Sequence, residues 1–126
     1  MSGSAPKAPK TILLIDDDEL IAVSLRDSLV RRGLTVDVAL DPAAAEARLR
    51  ARTYETVVVD PYLTGGVHEP SALLIETIRV LQPASVIFVL TGYGRPALSG
   101  AAEAHSGTTF LSKPQSIPYL SQLIAS

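Results

Sequence analysis

A chain of 126 residues, with 11 basic and 13 acidic side chains, a net charge of −2 and no cysteine, has the length of one domain and can bury a core without covalent staples. The missing cysteines exclude disulfides and thiolate metal sites, and the near-balanced charge leaves no overall basic footprint for direct binding of nucleic acid or anionic lipid. The longest apolar runs are strand-sized, too short to cross a bilayer, so the expected setting is cytoplasmic.

Residues 1–10, rich in Ser, Ala, Pro and Lys, lack the apolar stretch of a signal peptide and read as a flexible leader. The folded unit is then 11–126. The first strand is Thr11-Ile12-Leu13-Leu14-Ile15, followed by Asp16-Asp17-Asp18. Asp18 suits the N-cap of a helix that carries Ile21, Leu25 and Leu29 on one face and ends at Gly33. Weak alternation predicts a second strand over 34–39. Asp41-Pro42 is an N-cap followed by proline at the first helical position, and an alanine-rich helix follows over 43–52.

A third strand is expected at about 55–60 and a loop over 61–69, which holds Pro61, Gly65 and Gly66. Leu74, Ile78 and Leu81 mark a helix that stops before Pro83. The fourth strand is 86–90, a weak helix spans 95–106, and the fifth strand is 108–111. A last helix from Ser116 turns Ile117, Leu120 and Ile124 inward. Strands alternating with helices predict an α/β fold with a parallel sheet, and the unbroken apolar third and fourth strands predict helices on both of its faces.

The carboxyl ends of parallel strands lie along one edge, where ligands bind. That edge would gather Asp16, Asp17 and Asp18, then Asp60 after the third strand, Thr91 after the fourth, and Lys113 of Lys113-Pro114 after the fifth. Each residue has an ordinary alternative role: Asp18 as a helix cap, Asp60 before Pro61 as a turn residue, Thr91 as a turn hydroxyl, Lys113 as a solvated surface amine. Their common edge favours a joint role. Two carboxylates about 4 Å apart repel by roughly 4 kcal/mol at an effective dielectric near 20. Converging acids therefore share a proton or recruit a cation, and an all-oxygen, partly hydrated cluster favours Mg²⁺. A carboxylate there can act as nucleophile and form an aspartyl phosphate.

These residues closely resemble the receiver domain of two-component response regulators (CheY-like), over about 11–125. The family's acidic pair corresponds to Asp16-Asp17, its phosphoacceptor to Asp60, its hydroxyl residue to Thr91, thirty-one positions later, and its Lys-Pro lysine to Lys113, twenty-two positions after that. The resemblance implies a doubly wound, flavodoxin-like five-stranded parallel sheet of order 2-1-3-4-5. It implies Mg²⁺ held by Asp17 and Asp60, by Asp16 through water, and by the backbone carbonyl of Tyr62. It also implies that the phosphoryl donor is a histidine on a sensor kinase or phosphotransfer protein. Thr91 and Phe110 would be the switch residues of a population shift driven by phosphate contacts.

The chain departs from the family pattern in places. Thr64 stands where receivers usually have proline, four residues after the phosphoacceptor, and the loop Gly65-Gly66-Val67-His68-Glu69 looks enlarged. Phe110 replaces the more usual tyrosine. Tyr62 and Tyr93 follow Asp60 and Thr91 by two residues, and their rings are expected to tune the phosphoryl lifetime by screening water. After Lys113 no residue is charged, so a salt-bridged face is not expected there, and Tyr119, Gln122 and Ala125 are open to two readings: a mildly apolar partner surface, or a short helix packed on a neighbouring segment. Three other readings compete. The first is a phosphatase resembling the haloacid dehalogenase superfamily, with Asp16 as nucleophile and Asp18 as acid/base. It lacks a later acidic motif, since no acid follows Glu103, and it leaves Asp60 without a role. The second is a pseudo-receiver, an interaction module that is never phosphorylated. The third is a flavin carrier, disfavoured because an anionic edge repels a flavin phosphate.

Overall fold

The computed structural model describes residues 10–60, 72–91, 108–112 and 116–125. The loop expected over 61–69, the helix expected over 95–106, and Tyr62, Thr64, Tyr93 and Lys113 lie outside these residues. The element order is β1 (Thr11–Ile15), α1 (Glu19–Arg31), β2 (Thr35–Ala39), α2 (Pro42–Ala51), β3 (Thr56–Val59), α3 (Ala72–Leu81), β4 (Val86–Thr91), β5 (Thr108–Ser112) and α4 (Ile117–Ala125). The strands form one five-stranded sheet of order β2-β1-β3-β4-β5, parallel at every pairing. This is the expected doubly wound topology. No described helix is long and apolar enough to cross a membrane.

The helix boundaries follow from local chemistry. Asp18 accepts a hydrogen bond from the Ile21 amide at 3.2 Å and caps α1. Asp41 does the same for α2, accepting from the Ala44 amide at 2.7 Å, with Pro42 as the first helical residue. Strand β2 starts at Thr35, one residue later than the apolar pattern suggests, because Leu34 still belongs to the turn that closes α1. Gly33 donates to the Val30 carbonyl at 2.9 Å and Leu34 to the Leu29 carbonyl at 3.2 Å, the paired bonds of a Schellman motif. Gly33 has φ +87° and a Cβ there would meet nothing within 4 Å, so backbone conformation alone calls for glycine.

Alternate residues of the strands feed two apolar layers, as the pleat requires. Leu13 and Ile15 of β1 join Val57, Val59, Ile87 and Val89 beneath Ala45 and Leu49 of α2 and Ile75 and Ile78 of α3. Ile12 and Leu14 join Val58, Phe88 and Leu90 beneath Leu25 and Leu29 of α1 and Leu120 and Ile124 of α4. Ile21 and Ile117 are only partly buried; Ala22 completes the inner face of α1. Between α1 and α4, buried Ser121 donates to the Ser28 hydroxyl at 2.6 Å.

A second acidic centre, well back from the strand ends, ties α2 to the sheet. Asp37 of β2 accepts from the Tyr54 hydroxyl at 2.7 Å and from Arg52 at 3.0 Å, and Arg48 stands 3.6 Å away. Burial works against ionisation of Asp37. The Tyr54 hydroxyl and the two guanidinium groups outweigh it and hold the carboxyl below its ordinary value. Burial, aided by the adjacent carboxylate, pushes the Tyr54 phenol up to about 12. Buried Gln82 locks the same corner: its side-chain amide donates to the carbonyls of Leu49 and Arg52 at 2.9 and 2.8 Å, and its oxygen accepts from the Tyr54 amide at 2.9 Å.

Candidate functional site

The register of the central strands decides which residues meet. Ile15 of β1 lies opposite Val59 of β3, so the next residues, Asp16 and Asp60, leave the sheet side by side. Their backbones continue the ladder for one more step: the Asp60 amide donates to the Ile15 carbonyl at 2.9 Å and the Asp16 amide to the Ala39 carbonyl at 3.1 Å. Both carboxylates are therefore set by a rigid sheet rather than by a loop. Asp16 is 5% exposed and Asp60 7%, while Asp17 is exposed at the mouth.

Asp16, Asp17 and Asp60 each bring a carboxylate oxygen within 4.8 Å of the others. Oxygens sharing one Mg²⁺ at 2.0–2.1 Å stand up to about 4 Å apart, so only a small contraction separates this arrangement from a coordination shell. The donor set, all carboxylate oxygen with two members buried and one open to water, fits a hard cation that retains part of its hydration. One oxygen of Asp16 has a further duty. Its Oδ1 accepts from the Asp18 amide at 2.9 Å and so fixes the turn between β1 and α1.

Asp18 stands outside the acidic group and faces the first turn of α1 as its cap. A phosphatase of the Asp-x-Asp type needs Asp16 and Asp18 aimed at one substrate. Here Asp60 holds the place beside Asp16. Thr91 is the last residue of β4 and pairs with Ser112 of β5. The backbone thus brings the residue after Leu90 and the residue before Lys113 together, two strands from Asp16. Both strands run one residue beyond their expected ends, which is what puts Thr91 on the ladder. Phe110 of β5 is opposite Val89, and its partly buried ring rests on the layer that includes Ile87 and Val89.

The Asp37 centre has no comparable sequence signal. Asp37 and Tyr54 lie seventeen residues apart in unrelated elements, and only the alternation of β2 hints that a charge faces α2. Its side chains are engaged within the fold, which marks it as structural.

Comparison with known proteins gives the family. Residues 12–125 match the family model of the response regulator receiver domain. The chain belongs to that family. The receiver is 36% identical over 107 residues to the photosynthetic apparatus regulatory protein RegA of Cereibacter sphaeroides, covering 85% of this chain and 56% of the relative. It is 32% identical over 106 residues to the acid tolerance regulatory protein ActR of Rhizobium meliloti, covering 83% and 53%. The chain thus spans about half the length of the curated relatives it matches. Among solved structures, a response regulator from Burkholderia pseudomallei, described with a phosphorylated aspartic acid, a calcium ion and citrate, is similar at 31% identity and TM-score 0.79, covering 93% of this chain and 66% of that one. A CheY-like receiver from Methanospirillum hungatei shares the fold with TM-score 0.81 at 24% identity, covering 93% and 91%.

Proposed function

We propose that this receiver accepts a phosphoryl group on Asp60 from a phosphohistidine of a sensor kinase or phosphotransfer protein, and that the modified form controls a downstream partner. A carboxylate oxygen of Asp60 attacks phosphorus as the histidine N–P bond breaks. The bonding pair returns to the imidazole, which takes up a proton. The product is an acyl phosphate. The receiver acts on itself and turns over no separate substrate beyond its own phosphorylation and dephosphorylation.

The observation that carries this reading is the meeting of Asp16, Asp17 and Asp60 within 4.8 Å at the ends of neighbouring strands, in a chain that belongs to the receiver family. Asp17 and Asp60 would hold Mg²⁺ directly, with Asp16 assisting through water and the Tyr62 backbone carbonyl as a further donor. The ion would neutralise charge on the transferring phosphoryl oxygens. Lys113 would pair with the phosphoryl group and Thr91 would bond to it. Phe110 would repack as Thr91 moves, a switch driven by the differential contacts of the two states. The rings of Tyr62 and Tyr93 would screen the acyl phosphate from water. In that case a Tyr62→Asn, Tyr93→Glu double variant loses phosphate faster than the wild type.

Incubation with Mg²⁺ and acetyl phosphate, followed by mapping of the acyl phosphate, tests the assignment. Label on Asp60, absent in Asp60→Asn, supports the receiver reading. Turnover through Asp16 supports the phosphatase. No label from acetyl phosphate or from phosphohistidine donors supports the pseudo-receiver.

A further inference from the structure

Among the described residues strand β2 ends the sheet, with β1 as its one neighbour. The Thr35 amide donates to the Lys10 carbonyl and the Ala39 carbonyl accepts from the Asp16 amide, so the backbone groups of residues 35, 37 and 39 face β1. Strand periodicity then turns the N–H and C=O groups of Val36 and Val38 outward. Such an edge is a template for one more strand.

The charges around this edge have one predominant sign. Arg31 and Arg32 are exposed at the end of α1 and lead through Gly33 into β2. Arg48 and Arg52, on the other face, both lean on the single carboxylate of Asp37, at 3.6 and 3.0 Å. Four arginines thus flank the strand against one carboxylate within it, and Arg31 and Arg32 have no carboxylate partner among the described residues. Asp41, at the far end of the strand, is engaged as the cap of α2. Arginines of this density repel a second β2 edge, which would bring four more against them, so a symmetric pairing of two copies is disfavoured. They attract an acidic strand. Nucleic acid is a poorer fit, because the edge offers alternating donors and acceptors at strand spacing and the chain as a whole carries −2.

We propose that the outer edge of β2 docks an extended acidic peptide segment of a partner protein, which adds a sixth strand beside Val36 and Val38 while its carboxylates meet Arg31, Arg32, Arg48 and Arg52. Main-chain bonds supply the register, and the arginines select for charge. This edge uses none of the residues of the Asp60 site.

Backbone amide NMR on the ¹⁵N-labelled chain tests it, with an alternating Glu-Val octapeptide and a Lys-Val octapeptide of the same length as probes. The Glu-Val peptide should shift the amide signals of residues 35–39 and protect Val36 and Val38 from solvent exchange at least tenfold. Its affinity should fall about tenfold or more when salt is raised from 0.05 to 0.5 M. Arg31→Glu with Arg32→Glu should weaken binding at least tenfold, and the milder Arg31→Gln, Arg32→Gln variant severalfold, both with a cooperative thermal transition that stays above the assay temperature. Equal binding of the Lys-Val peptide, unprotected Val36 and Val38 amides, self-association through β2 instead of peptide binding, or undiminished affinity in the arginine variants would each overturn the proposal.

Discussion

At Asp37 one carboxylate meets a phenol and two guanidinium groups; at the ends of β1 and β3 three carboxylates meet one another. Both centres stand on the same sheet. In the first, negative charge is satisfied within the fold and holds α2 and β3 against the edge strand. In the second, the fold gathers like charges that repel one another, weakly at exposed Asp17 and more strongly between buried Asp16 and Asp60. Under the proposed function a cation and a phosphoryl group would offset that repulsion. The contrast separates acids that stabilise the structure from acids held ready for chemistry.

The largest effect that bears on this contrast is on phosphorylation. Asp60→Asn should reduce acyl phosphate formation at least a hundredfold, whereas Asp37→Asn should leave the phosphorylated fraction within a factor of two, both read by intact-mass analysis. Stability should respond in the opposite sense. Removing the acceptor in Asp37→Ala leaves the part-buried Tyr54 hydroxyl without its partner, and chemical denaturation should show a loss of about 2 kcal/mol. Without Mg²⁺, Asp17→Asn relieves repulsion and should gain about 0.5–1 kcal/mol.

The pH dependence of stability sharpens the same comparison. Asp37 lies below its ordinary value in the folded state, so its contribution is present above that ordinary carboxylate range and is lost as pH falls through the lowered value. Tyr54 is raised from 10 to about 12. Its contribution is present below pH 10 and disappears as pH climbs from there through about 12. The stability difference between wild type and Tyr54→Phe, read by denaturant titration, should therefore be flat from pH 6 to 9 and shrink above 10. The smallest effect belongs to Arg52→Gln. It removes an exposed, solvent-screened member of the Asp37 group and should lower stability less than Asp37→Ala does, and less again at high salt.

Much of this contrast could be read from the sequence on one side only. The apolar runs, the Asp18 and Asp41 caps and Gly33 define nearly every described element, because each rests on local periodicity or a single local hydrogen bond. The Asp16–Asp17–Asp60 group was equally legible, since parallel topology sends strand-ending residues to one edge. Three things were hidden. The bond from the Asp18 amide to Asp16 depends on the turn's actual path. The start of β2 at Thr35 depends on a six-residue turn that retains Leu34. The Asp37–Tyr54–Arg52 cluster joins β2 to the connection between α2 and β3, whose side chains meet only after packing, and no spacing rule brings residues 37, 52 and 54 together in advance.

In the proposed function Asp16, Asp17 and Asp60 take up a cation, and the self-sufficient Asp37 centre does not. Thermal unfolding across a Mg²⁺ titration tests it in wild type, Asp60→Asn and Asp37→Asn. A site ligand at a hundred times its dissociation constant stabilises by about 2.7 kcal/mol, so wild type and Asp37→Asn should gain the same saturable increment and Asp60→Asn should lose most of it. An increment that survives in Asp60→Asn, or vanishes in Asp37→Asn, would contradict the account.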